Sequence, residues 1–288
     1  MNDVKRLAHL SEGIDAQKAT SLQALEPPTE RCKPYVMGHQ HRVVVRVPGR
    51  SDRMKRATDQ GELVHTDIAG GGQIVHTPEG KRYILILLDD ATDELTIHLL
   101  AKKSDTAEVI GPYFEYTKNA GRPIQCFKGN NAGENMGRRM QALFTKYGVN
   151  WIPTAAYNPN QNGASERCIR TLFERTRSIL FDSKLPKTLW GEAIRTVMYY
   201  RNRSPTRSLS AMTPYEASTG TTPFVGHLRI FGCVAYHHNE DPNKKKLDNR
   251  GIKYRFMGYD GTNKFRLWDG KKIIVSAHMV FDEVVDPR

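Results

Sequence analysis

The segment Tyr83–Leu88 constrains the fold more than any other stretch, because all six of its residues are aliphatic or aromatic. It follows the glycine-rich stretch Gly70–Gly72 and precedes the acidic pair Asp89 and Asp90. A continuous apolar run of this length is typical of a strand that is buried on both faces of its sheet. The segment therefore predicts a central strand with a further layer of structure on each side.

Strand and helix signals alternate around this segment. The sequence predicts strands at Leu63–Ala69, Leu95–Leu100, Ile124–Lys128 and Val149–Ile152, and helices at Asp105–Asn119, Met136–Tyr147, 163–181 and 187–203. From Gly226 onward the chain consists of short alternating runs separated by turns rich in Gly and Asp, which predict a small β-module. The predicted fold class is α/β, with a mixed sheet, flanking helices and this module at the C-terminal end.

Composition excludes several classes of protein. The chain has 288 residues, of which 39% are hydrophobic, enough for a packed core. It lacks the run of about 18 apolar residues that a membrane span needs, and its start lacks the apolar run of a signal peptide. We therefore expect a soluble, intracellular protein. The four cysteines form no CxxC pair, so the sequence indicates neither a disulfide framework nor a cysteine-rich zinc site.

The formal charge of +12 is concentrated in three segments. Residues 42–56 contain six basic residues and one acid, residues 167–207 contain ten and three, and residues 244–255 contain six and one. A surplus of Lys and Arg favours polyanionic partners, most often nucleic acid. A solvated surface without a partner has the same composition, so the clusters alone leave both interpretations open.

Several short motifs follow one another along the chain. They are His65-Thr66-Asp67 in a predicted strand, Asn130-Asn131-Ala132-Gly133-Glu134 after another strand, Asn162-Gly163-Ala164-Ser165-Glu166-Arg167 before a helix, Leu185-Pro186 with Trp190, Lys246-Leu247-Asp248, Gly258-Tyr259 and Phe281-Asp282-Glu283. With these motifs, in this order, the chain resembles the integrase region of a Ty1/copia-type retrotransposon polyprotein. That region belongs to the retroviral integrase superfamily, and the matches extend over nearly the whole chain.

The resemblance implies a ribonuclease H-like integrase core, a mixed five-stranded sheet with flanking helices. It also implies a domain order. We expect a degenerate GAG-pre-integrase module of the His-His-Cys-Cys type at residues 1–45, a basic linker at 46–60, a core-like domain at 61–222 and a small C-terminal β-module at 223–288.

The resemblance further implies a catalytic site built on three carboxylates that hold Mg²⁺ ions on the attacking and leaving oxygens of a phosphodiester. Asp67 matches the first carboxylate and Glu166 the third. The second position, with the family's interval of thirty-five intervening residues before Glu166, is Asn130. An amide lacks the negative charge that holds and bridges divalent ions, so we expect Mg²⁺ binding at Asp67 and Glu166 to be weak or lost and catalysis to be impaired. Glu134, Asp89 and Asp90 match family positions that are not metal ligands.

The expected zinc module departs from the family pattern as well. His9 and Cys32 match two of its ligands, whereas the other two positions are Val4 and Tyr35. A structural zinc site normally has four ligands. The sequence therefore predicts that His9 and Cys32 are remnants that bind no zinc.

The resemblance also implies a binding partner and the residues that contact it. It implies DNA, contacted mainly through phosphate by Arg167, Arg170, Arg175, Arg177, Lys244, Lys245 and Lys246. It also implies a homo-oligomer in the nucleus, away from membranes. Three functions remain open at this point: an integrase-type DNA-binding domain with impaired catalysis, an active Mg²⁺-dependent polynucleotidyl transferase that tolerates Asn130, and a non-enzymatic scaffold that a host has retained to bind protein partners.

Overall fold

A computed structural model describes residues 56–72, 74–129, 137–154, 163–238, 243, 245–247, 249–261 and 263–283. The expected N-terminal module with His9 and Cys32 lies outside these residues, as do Asn130, Glu134 and Lys244.

Five strands form a mixed sheet. They are β1 (Leu63–Gly70), β2 (Tyr83–Asp89), β3 (Leu95–Leu100), β4 (Cys126–Gly129) and β5 (Asn150–Pro153), in the spatial order β3-β2-β1-β4-β5. β2 pairs antiparallel with β1 and β3, whereas β4 pairs parallel with β1 and β5. Ile84, Leu85, Ile86 and Leu87 are almost completely buried. The prediction of a strand covered on both faces is therefore confirmed.

Helices cover both faces of this sheet. They are α1 (Thr106–Asn119), α2 (Arg138–Tyr147), α3 (Gly163–Ser183), α4 (Trp190–Asn202) and the short α5 (Pro214–Thr219). On one face, Phe114 of α1 and Phe144 of α2 pack with Leu85. On the other face, Leu172 of α3 and Ile194 of α4 pack with the neighbouring strand residues. Because successive side chains of a strand point to opposite faces, β2 contributes to both cores.

A second, all-antiparallel sheet follows. Its strands are β6 (Val234–His238), β7 (Gly251–Asp260), β8 (Lys264–Trp268), β9 (Ile273–Ser276) and β10 (Met279–Asp282), in the order β10-β6-β7-β8-β9. Three rings, Phe256, Phe265 and Phe281, meet edge to face within it, with centroids 4.9 to 6.0 Å apart. We call this sheet the β-module.

Helix α4 lies between the first sheet and the β-module. Trp190, Ile194 and Val197 pack on the sheet, while Leu189 and Ala193 pack against Phe231 and Met257 of the C-terminal part. Polar contacts reinforce this second interface, as described below. Both faces of the helix are therefore buried within the chain.

The structure differs from the sequence prediction at the ends of several elements and by one additional helix. β1 ends at Gly70, one residue later than predicted, and β4 begins at Cys126, two residues later than predicted. Residues 187–189 form a separate 3-10 turn before α4. The helix α5 was not predicted; it begins at a Thr213 cap whose Oγ1 accepts the Glu216 N–H at 3.0 Å, with Pro214 in the first turn. In the described part of the chain, no helix is long and apolar enough to cross a membrane.

Candidate functional site

Asp67 lies within β1, opposite Ile86 of β2. Its neighbours show which way it faces, because Val64 and Ile68 pack in the core beneath α1 and α2, whereas Ala69 packs in the core beneath α3. The alternation of a strand therefore places Asp67 on the α3 side of the sheet. The side chain is half-buried, and its Oδ1 accepts the N–H of Ile68 at 2.8 Å.

Strand β4 ends directly before Asn130. It pairs with β1 in parallel, Leu63 opposite Cys126 and His65 opposite Lys128. A Cβ on Gly129 would lie 2.7 Å from Cγ2 of Thr66, the neighbour of Asp67, and 2.9 Å from the ring of Trp151. Only glycine fits there, because β4 approaches β1 closely at the level of Asp67.

Glu166 lies in the first turn of α3 and is exposed. Next to it, Ser165 is fully buried, and Ala164 and Cys168 pack in the core on the α3 side of the sheet. Helix α3 contacts both β1 and β2. Asp67 and helix α3, which carries Glu166, therefore lie on the same side of the sheet.

Three of the four predicted DNA-contact arginines of α3 occupy its outer side. Arg167, Arg170 and Arg177 are exposed, opposite the buried residues Leu172 and Thr176. Arg175, in contrast, is half-buried. In the loop between β6 and β7, Lys245 and Lys246 are exposed.

Other arginines of the basic clusters hold the fold together instead. Arg56 donates from Nε to the Asp90 carbonyl and from Nη1 to the Ser208 carbonyl, both at 2.6 Å. Arg201 donates to the carbonyl of Asp93 at 2.6 Å, and Arg255 donates to the carbonyl of Ser183 at 2.9 Å. Arg203 lies over the ring of Tyr199, 3.5 Å from its centroid. Sequence reasoning missed this division, since the hydrogen-bond partners of Arg56, Arg201 and Arg255 lie 34 to 152 residues away along the chain.

A buried histidine and a carboxylate lie at the other end of β1. Nε2 of His65 is 3.0 Å from Oδ1 of Asp90, and Oδ2 of Asp90 accepts the N–H of Ala57 at 2.7 Å. Burial alone raises the pKa of Asp90, but the hydrogen bonds from His65 and Ala57 outweigh it and hold the pKa below its ordinary value. Both Asp89 and Asp90 are thus occupied by structural hydrogen bonds, since Asp89 accepts the N–H groups of Gly61 and Thr92.

The donor set does not fit a pair of Mg²⁺ ions. In the ranges that the structure covers, no group of three or more His, Cys, Asp or Glu side chains is placed to hold a metal ion. The sequence supplies two carboxylates, Asp67 and Glu166, and a neutral amide at position 130. Hard divalent cations select anionic oxygen ligands, and a two-metal site needs a carboxylate that bridges the ions.

Comparison with known proteins gives consistent matches. A family model described as "Retroviral polymerase SH3-like domain" matches residues 233–288, which include the whole β-module. The chain is 33% identical over 97% of its length to a retrovirus-related Pol polyprotein from transposon TNT 1-94 of Nicotiana tabacum. It is 28% identical over 77% of its length to the Pol polyprotein from transposon RE1 of Arabidopsis thaliana. The chain spans 21% and 15% of the length of these two relatives.

Two solved structures align with parts of this chain. One is a simian T-cell lymphotropic virus intasome in complex with the PP2A regulatory subunit B56 gamma, with a TM-score of 0.48 and 13% identity over 82% of this chain and 83% of the matched chain. The other is the HTLV-2 integrase catalytic core domain in complex with magnesium, in a trimeric form, with a TM-score of 0.44 and 15% identity over 56% of this chain and 99% of that one.

Three observations agree on a family. The motifs occur in the order expected for an integrase region, the first sheet is mixed and five-stranded with helices on both faces, and the sequence identity to the tobacco polyprotein extends over nearly the whole chain. The chain belongs to the retrovirus-related Pol polyproteins of plant copia-type transposons, and it corresponds to their integrase region.

Proposed function

We propose that this chain is an integrase-type domain that binds DNA through the phosphate backbone and is impaired in strand transfer. One observation carries the proposal: the exposed arginines of α3 begin one residue after Glu166, on the side of the sheet that Asp67 faces. A DNA strand that contacts this helix would pass over the position where the family holds its metals. The surface for the substrate is retained while the metal ligands are incomplete.

Charge explains how the binding works. Arg167, Arg170 and Arg177 are exposed on one helix, and guanidinium groups pair well with phosphate oxygens. Such contacts release condensed counterions and fix the register of the protein on DNA, but they do not read its sequence. We therefore expect binding with low sequence preference and strong salt dependence. Lys244, Lys245 and Lys246 would add phosphate contacts from the β-module.

The first test is a charge reversal on α3. The double variant Arg167→Glu, Arg170→Glu should lower the affinity for a short duplex at least about tenfold, because each substitution removes one attraction and adds one repulsion. Fluorescence anisotropy at several salt concentrations measures this. The matched control is Arg138→Glu, Arg139→Glu on α2, which makes the same charge change on the opposite face of the sheet. An equal loss in both double variants would contradict the proposed surface.

The second test concerns position 130. Asn130→Asp restores a carboxylate, and we expect it to strengthen Mn²⁺ binding at least about tenfold, as measured by titration calorimetry. Nicking of a supercoiled plasmid in Mn²⁺ is the second readout, expected for Asn130→Asp and not for the natural chain. The triple variant that also carries Asp67→Asn and Glu166→Gln is the control, and it should bind no Mn²⁺ at this site. If the natural chain nicks as fast as Asn130→Asp, it is an active transferase and catalysis is not impaired.

Self-association and nuclear location extend the proposal. Both follow from the resemblance to integrases, which act as multimers on nuclear DNA. Light scattering coupled to gel filtration gives the mass of the particle in solution, and a monomer at every concentration would contradict self-association.

A further inference from the structure

We propose that the outer face of the β-module binds unpaired bases of DNA, with Tyr236 as the stacking residue. This inference rests on the proposed DNA binding and adds to it a preference for DNA with an unpaired tail. It concerns strands β6, β7 and β10, at the part of their shared face where Tyr236, Lys253 and Val280 are exposed.

The first observation is an exposed apolar row. Val280 of β10 and Lys253 of β7 lie directly opposite Tyr236 of β6, one on each side. Residues opposite each other in a sheet point to the same face, so the three side chains form one line across three strands. Tyr236 is 39% exposed and Val280 is 70% exposed to solvent. An aromatic ring and a branched aliphatic group are thus offered side by side to solvent.

The second observation is a gap beside the ring. Gly251 is the diagonal neighbour of Tyr236 on the same face, since Gly251 pairs with His238, two residues further along β6. A Cβ built on Gly251 would lie 3.7 Å from both Cβ and Cδ1 of Tyr236. A larger side chain at this position would extend from a point in contact with one edge of the Tyr236 side chain. The φ angle of Gly251 is not positive, so the backbone conformation does not require glycine at this position.

The third observation is the charge around the row. Lys253 is exposed within it, and the loop that joins β6 to β7 carries the exposed residues Lys246 and Arg250. This loop leaves the sheet at His238 and Gly251, two residues from Tyr236, or about 7 Å along the strand. Asp282 lies in the next row, opposite Val234. The face therefore combines an accessible ring with positive charge in the same row and in the adjoining loop.

This combination fits one ligand class best. A base stacked on an aromatic side chain contributes to binding with little regard to sequence, while nearby cations contact the backbone. In a blunt duplex the bases are already stacked on one another and are not available to Tyr236. A duplex with an unpaired tail supplies both the base and the phosphates, and we infer that this is the DNA form that the β-module prefers.

The test compares three DNAs: a blunt duplex, the same duplex with a short unpaired 3′ tail, and an oligothymidine strand. We expect the full chain to bind the tailed duplex at least about fivefold more tightly than the blunt one, the factor expected for one stacked base. Tyr236→Ala should remove this preference, and Tyr236→Phe, which keeps the ring, should retain it. Gly251→Val should also reduce it, because its side chain adds bulk beside the ring without changing any charge. Circular dichroism verifies that each variant is folded.

Lys253→Gln is the electrostatic control, and it should weaken binding to all three DNAs by a similar factor. Equal affinity of the natural chain for blunt and tailed duplex, or a tail preference that survives Tyr236→Ala, overturns the inference and leaves the proposed function intact. If Tyr236→Ala instead changes only the oligomeric state, the face is a protein interface and the inference is wrong. Failure to bind any of the three DNAs contradicts the proposed function itself.

Discussion

Asp90 connects several parts of the core through hydrogen bonds. Its carboxylate accepts hydrogen bonds from His65 of β1 and from the N–H of Ala57, and its carbonyl accepts one from Arg56. Arg56 also forms an ion pair with Asp93 at 3.2 Å. These contacts hold the segment before β1 against the end of β2. The carboxylate is therefore structural, although it follows the buried strand at a place where a metal ligand could be suspected.

Asp90→Asn should destabilise the protein by about 1.5–3 kcal/mol, the range for hydrogen bonds to a charged group. The pKa of Asp90 is lowered in the fold, so its stabilisation is present above the ordinary value of 3.8 and is lost as the pH falls further through the folded-state pKa. Urea denaturation at pH 7 and at pH 3 should thus show a smaller difference between variant and natural chain at pH 3. Asp182→Asn, a similar change at an exposed position of α3, is expected to be nearly neutral. A difference that grows towards low pH would contradict this role.

Helix α4 makes several different kinds of contact with the β-module. Glu192, buried on this helix, accepts two hydrogen bonds from Arg266 of β8, at 2.6 and 2.8 Å. Thr196 donates to the carbonyl of Met257 at 2.8 Å, and Tyr199 stacks on Tyr259 with centroids 4.0 Å apart. The helix is therefore the element that fixes the β-module on the core.

Glu192→Ala should cost about 3 kcal/mol, because it leaves the guanidinium of Arg266 without its bidentate partner in a largely buried place. The double variant Glu192→Leu, Arg266→Met removes both charges and should cost less than the single one. Glu108→Ala, which breaks an exposed ion pair of 3.8 Å with Arg139, should change the free energy of unfolding by less than about 1 kcal/mol. A double variant less stable than Glu192→Ala would show that the pair itself is a net source of stability.

The regular elements of the core could be predicted from the sequence because their signals are local. β3 has the predicted bounds, and α1 begins one residue later than predicted. The helix α5 was missed because six residues carry little periodicity, although the Thr213-Pro214 start is a recognisable cap signal. The prediction of the site was limited because it could use only these local signals. Asp67 and Glu166 could be named from motifs, but nothing local distinguishes Arg170, which faces solvent, from Arg201, whose partner Asp93 lies 108 residues away.

At the scale of the whole molecule, the charge of +12 overstates the surface available to DNA. The cluster at residues 167–207 divides between α3, where Arg167 and Arg170 are exposed, and α4, where Arg201 is bound to the core. Clusters that look alike in sequence therefore have different physical roles. The number of phosphate contacts, and not the net charge, should set the salt dependence of DNA binding.

This division predicts two kinds of arginine variant. Arg170→Gln should make the negative slope of log K against log salt concentration shallower by about 0.9 and leave the free energy of unfolding nearly unchanged, because it removes one phosphate contact. Arg56→Gln loses hydrogen bonds to two carbonyls and the ion pair with Asp93, so it should lower the stability by about 2 kcal/mol and leave the slope unchanged. Both variants lose one positive charge, so net charge cannot account for a difference between them. Equal slopes for the two variants would mean that DNA responds to total charge, and that α3 is not a specific contact surface.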